Sequence, residues 1–150
     1  MTLLNYLLIL AAVTNSFLAV LVILKDRRNP INRNFAFALI SVVCWSVALL
    51  LSIFSGNKFA TRLITASGML TAYWFLEFVI VYPNINQRLS KMRSINLITT
   101  AFFFVIALIP GTVVKDAHSA NGRMTYEPGP FTLPFALTLY FYLIAVVQGD

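Results

Sequence analysis

Apolar residues gather along the chain into five stretches, residues 3–24, 35–54, 63–82, 94–113 and 131–147, separated by short polar segments. Each is 17 to 22 residues long, and a helix needs about 20 mostly apolar residues to cross a bilayer. Together they hold one charged side chain, Glu77, whereas the other 51 residues carry fifteen. The pattern predicts an all-α integral membrane protein, a five-helix transmembrane bundle that forms a single polytopic domain over residues 1–150.

Polar punctuation marks the ends of these stretches. Asn29-Pro30 breaks the chain, because a residue before proline avoids the helical region, and Asn32 or Asn34 is expected to cap the second helix. Ser55-Gly56-Asn57 predicts a tight turn, with the second and third helices as an antiparallel hairpin. Pro83 ends the third helix, and the fourth runs from near Ser94 to Pro110-Gly111. Thr132 is the expected cap of the fifth, with Pro134 in its first turn, where a missing N–H does no harm. Between the fourth and fifth helices, Thr112-Val113-Val114 and Met124-Thr125-Tyr126 flank Ser119-Ala120-Asn121-Gly122. The Asn-Gly step predicts a small extracytoplasmic β-hairpin resting on the helix ends.

Charge then orients the chain. Loops 25–34 and 83–93 hold seven of the eleven basic residues (Lys25, Arg27, Arg28, Arg33; Arg88, Lys91, Arg93), against four for Lys58, Arg62, Lys115 and Arg123. Basic flanks stay on the cytoplasmic side, which predicts a multi-pass cell-membrane protein with its N-terminus outside and its C-terminus inside. The first stretch lacks a basic leader and a small-residue cleavage site, as expected of a retained anchor. The net charge of +6 is explained by these flanks, so anionic phospholipid headgroups, not nucleic acid, are the expected partners beside the bilayer itself. No segment outside the apolar stretches exceeds the 17 residues of 114–130, too few for a soluble catalytic domain of about 50. Serine–histidine, HExxH and glycine-loop motifs are absent, so no catalytic residue, cofactor or metal site is expected.

Candidate chemistry rests on few residues. Glu77 is a costly intramembrane carboxylate, roughly 7–8 Å along its helix from the inner interface. It is read either as a structural partner of a nearby arginine, with Arg27, Arg28 and Arg33 as candidates, or as a sensing or proton-linked group. Asn15 lies mid-helix between Ala11 and Ala19, and Gly68 and Ala72 repeat this small-residue spacing on the third helix. The pattern predicts that the first and third helices pack together, with Asn15 in an interhelical hydrogen bond. Trp45, Tyr140 and Tyr142 are expected in the aromatic core, Cys44 as a buried small hydrophobe, and His118 as a solvated loop residue.

Asn29-Pro30-Ile31-Asn32-Arg33-Asn34-Phe35-Ala36, followed by Trp45, resembles the inner loop and second helix of a bacterial family. That family is the N-terminal seven-transmembrane sensor region found ahead of histidine kinases and related signalling outputs. Phe75-Leu76-Glu77-Phe78 leading to Tyr82-Pro83 is similar to its third helix, and Tyr126-Glu127-Pro128-Gly129-Pro130 to the entry of its fifth. The resemblance spans the first five helices of seven and ends at Gln148-Gly149-Asp150, as in a fragment of a longer sensor or a stand-alone input module. It implies a non-catalytic membrane input module acting on a cytoplasmic kinase or cyclase output, in cis or on a separate chain. The alternative reading is a small structural or transport-associated membrane subunit.

Overall fold

The computed structural model describes residues 3–56, 58–82, 93–120 and 123–147, among which lie five helices and one β-hairpin. In chain order these are α1 (Leu3–Lys25), α2 (Pro30–Ser55), α3 (Lys58–Val81), α4 (Arg93–Leu108), β1 (Val114–Ala120), β2 (Arg123–Pro128) and α5 (Thr132–Val147). The first three are long and apolar enough to cross a membrane; α4 and α5 are shorter apolar helices.

Local chemistry sets the helix ends, in places differently from expectation. α2 begins at Pro30, five residues before the apolar stretch, and its cap is Asn29, whose side chain accepts from the Ile31 N–H at 2.9 Å. Proline fits the first helical position because its N–H would have no partner there. Asn32 and Asn34 therefore lie inside the helix. At the other end, Gly56 takes a left-handed conformation (φ 58°) and donates to the Ser52 carbonyl; Asn57 lies outside the described residues. α4 stops at Leu108, just before the expected break at Pro110-Gly111 and short of the end of the apolar stretch at 113. Pro110 biases Ile109 away from the helix, and Gly111 turns the chain at φ 78°.

The hairpin is antiparallel, with Ala120 opposite Arg123 and a register shift between Val114 and Asp116. Its strands are longer than expected and exclude Thr112 and Val113; Asn121 and Gly122 lie outside the described residues. His118 sits in β1 opposite Thr125, not in a free loop. The base is stitched to both neighbouring helices. Gly129 N–H donates to Val113 O at 2.9 Å and Phe131 N–H to Thr112 O at 3.0 Å. The Thr132 hydroxyl donates to Val113 O, so it ties α5 to the hairpin instead of capping its own helix. A Cβ on Gly129 would lie 2.1 Å from Thr112 O. Only glycine permits this crossing.

Core packing centres on α3. Ala66, Met69, Ala72, Tyr73, Leu76 and Ile80 bury against Phe103 and Ala107 of α4 and Phe135 and Tyr142 of α5. Small residues are buried along α2 (Ala38, Ser41, Ala48 and Ser52) and at the start of α3 (Ala60 and Thr61). Such residues let helix backbones approach closely. The Ser52 and Thr61 hydroxyls share a hydrogen bond of 2.9 Å between the two helices. α1 is peripheral and packs on α2, where Ala19 joins Ala36 and Leu39.

Candidate sensing site

The end of the bundle that gathers the start of α2, the end of α3 and the start of α4 concentrates buried polar groups. Glu77 is 1% exposed, yet its Oε2 lies 2.6 Å from Nη2 of Arg93, the first residue of α4. Arg93 is half-exposed, at 48% of its side chain, so the pair has one dry and one wet partner. Among the described residues, neither carboxylate oxygen receives an aligned hydrogen bond. Attraction to the guanidinium therefore offsets the cost of burying the charge. One turn earlier on α3, Tyr73 places its hydroxyl within electrostatic reach of the carboxylate. From α2, the buried Asn34 donates to the Glu77 carbonyl at 3.2 Å. Three helices meet at one residue.

Tyr142 extends the cluster to α5. Its ring is 1% exposed, and its hydroxyl donates to Asn96 O at 2.8 Å and lies 3.0 Å from the Thr100 hydroxyl on α4. Tyr140, by contrast, faces outward at 62% exposure, and Trp45 and Cys44 also lie on the surface of α2. Their mid-helix positions suggested burial. Position along a helix does not determine its buried face, and α2 turns Ser41, Ala48 and Ser52 inward instead.

The partner of Glu77 differs from those expected. Arg27, Arg28 and Arg33 are all exposed, and Asp26 accepts the backbone N–H groups of Arg28 and Asn29. Arg93, grouped by sequence with the cations of loop 83–93, is the first residue of α4. Its position flush against the first apolar turn of α4 was the available signal, because such an arginine is held at bundle depth. Asn34, with Asn32 an expected alternative cap of α2, is instead carried inward by the early start of that helix.

Among the described residues Asn15 makes no interhelical bond; its Nδ2 donates to Ala11 O of its own helix at 2.8 Å. The expected pairing of α1 with α3 is replaced, among the described residues, by packing of α1 on α2, its principal neighbour. Ala19 is buried against α2 and Ala11 is half-buried. On α3, Ala72 enters the core, while Gly68 faces α2, where a Cβ would lie 4.0 Å from Trp45 Nε1. Asn15 and Gly68 thus belong to different helix contacts.

At the opposite end, the hairpin base borders a half-open pocket of about 340 Å³. Ile64 and Thr65 of α3, Val114 and Glu127 of the hairpin, and Phe135 and Ala136 of α5 line it. Among the described residues, no group of three or more histidine, cysteine or acidic side chains is placed to hold a metal.

Comparison with known proteins returns one family. The model described as the N-terminal 7TM region of histidine kinase matches residues 7–148. No curated protein and no solved structure matches the chain.

Proposed function

Because the chain belongs to the family of N-terminal 7TM regions of histidine kinases, we propose that it is a membrane-embedded, non-catalytic input module. It passes a change in helix arrangement to a cytoplasmic kinase output in cis. The match over residues 7–148 carries this reading and favours it over a transport-associated subunit. Three helices of spanning length and composition support the membrane location. The excess of basic residues beside 25–34 and 83–93 supports an outer N-terminus, an inner C-terminus and contact of these loops with anionic lipid headgroups.

In this reading the Glu77–Arg93 joint lies at the inner end, where α3 hands over to α4. A module of this kind needs two arrangements whose balance a stimulus can shift. A buried carboxylate held by one half-exposed guanidinium gives α3 and α4 a discrete contact that is either made or broken. Kinase autophosphorylation of the complete sensor in vesicles tests the assignment. Glu77→Gln and Arg93→Gln should each shift the basal output at equal protein abundance. Unchanged output over the full stimulus range for both variants would remove the joint from signalling.

A further inference from the structure

We propose that two copies of this chain pair through the free edge of β2, joining their hairpins into one four-stranded sheet. A two-stranded ribbon is marginal by itself, and each of its edges is a row of unpaired N–H and C=O groups. Among the described residues, β1 and β2 pair only with each other. The two edges differ. β1 packs on α3, and its ladder is interrupted between Val114 and Asp116, where the exposed Lys115 stands. An irregularity and a lysine are both devices that keep an edge from pairing. β2 has neither: its ladder runs unbroken from Arg123 to Glu127, and Pro128 ends it.

Backbone alternation limits the registers open to a second copy. Ala120 and Arg123 lie opposite each other with two residues between them, the hydrogen-bonded pair that closes a hairpin. Bonded and non-bonded pairs alternate along an antiparallel ladder. Met124 and Tyr126 therefore direct their N–H and C=O groups away from β1. When a second β2 runs antiparallel alongside, Met124 meets the partner's Tyr126, and Tyr126 meets the partner's Met124. Every outward group of these residues is then bonded. Thr125 falls on the two-fold axis, with Arg123 opposite the partner's Glu127 and Glu127 opposite the partner's Arg123. Opposite charges directly across a ladder stabilise it, and like charges do the reverse. Centring the pair on Tyr126 would set Met124 against the partner's Pro128, which has no N–H. Centring it on Met124 would leave neither charge opposite its complement. The strand is complementary to itself in one register. The axis is perpendicular to the sheet, so copies in one membrane pair with the ribbon along the membrane surface. Packing of β1 on α3, beyond the α4 it leaves, fits a ribbon folded over the bundle.

Disulfide crosslinking of the full chain in membrane vesicles tests this, in a Cys44→Ala background with a mild oxidant. Directly opposed residues of a non-bonded pair are about 4.5 Å apart between Cα atoms, within reach of a disulfide. Thr125→Cys, on the axis, should give a covalent dimer on non-reducing gels. Ala117→Cys, on β1, should stay monomeric. Adding Arg123→Glu to Thr125→Cys sets like charges opposite each other twice and should slow crosslinking by about tenfold. Adding Glu127→Arg should do the same. The exchange that carries both Arg123→Glu and Glu127→Arg should restore the original rate, which separates lost pairing from lost folding. Equal crosslinking at positions 117 and 125 would reveal chance encounters and overturn the proposal. A monomeric Thr125→Cys chain, or an exchange that stays as slow as either single reversal, would overturn it too. Kinase output enters none of these outcomes, so failure of the pairing and failure of the sensor reading are told apart.

Discussion

Arg93 Nη2 stands 2.6 Å from Glu77 Oε2, joining the last turns of α3 to the first residue of α4. Removing one partner of a buried ion pair costs roughly 3–5 kcal/mol, because it strands the other. Arg93 is half-exposed, so water shares its charge. We expect Arg93→Gln to destabilise the bundle by about 1–3 kcal/mol. Glu77→Gln, which removes the buried charge and keeps the shape, should cost less. A double-mutant cycle by thermal unfolding in detergent checks both. Zero coupling between the two positions would show that the pair contributes no stability.

Gly129 and Gly68 should respond in opposite ways to the same substitution. A Cβ at Gly129 would strike the Thr112 carbonyl, so Gly129→Ala must move the α4 exit or the α5 entry. A loss of about 2 kcal/mol or more is expected. At Gly68 the nearest atom lies 4.0 Å away, at Trp45. Gly68→Ala should therefore be neutral or stabilising, by up to about 1 kcal/mol from helix propensity. Paired melting curves decide; equal losses would contradict the crossing.

Tyr142→Phe keeps the buried ring and removes the hydroxyl that bridges Asn96 O and Thr100. The expected cost is about 1–2 kcal/mol, since the Thr100 hydroxyl loses a buried partner. Tyr140→Phe, on the exposed side of the same helix, should be silent within about 0.5 kcal/mol. Unfolding midpoints measured side by side test the contrast.

Asn34→Ala should cost more than Asn15→Ala. Asn34 is buried and bonds across helices to Glu77 O, whereas Asn15 is half-buried and bonds within α1. The difference should be about 1 kcal/mol, one interhelical hydrogen bond. If Asn15→Ala is the more damaging change, Asn15 makes a polar contact beyond its own helix.

Membrane orientation is open to labelling. In a Cys44→Ala background, cysteine introduced at Ser119 should react with an impermeant maleimide from outside intact cells. Cysteine at Ser90 should react only after permeabilisation. The reverse pattern would invert the proposed topology.

Helix existence and rough extent were legible along the chain because the apolar stretches have spanning length and lie between polar breaks. The hairpin was legible too, from Asn121-Gly122 between strand-prone runs, and Glu77 stood out as the lone charge within them. These are local or compositional signals. The choice of partners was not local. The helices are apolar on nearly every face, so no polar stripe announces which side turns inward. Among apolar surfaces, small-residue fit and a few hydrogen bonds select neighbours. That selection placed α2 beside α1, set Gly68 against Trp45, and turned Cys44 outward and Tyr142 inward. It also chose Arg93 over three arginines of the first loop, because folding brings the start of α4 to the end of α3. Sequence by itself thus determined what the chain buries in apolar surroundings; tertiary packing alone decided which buried group meets which.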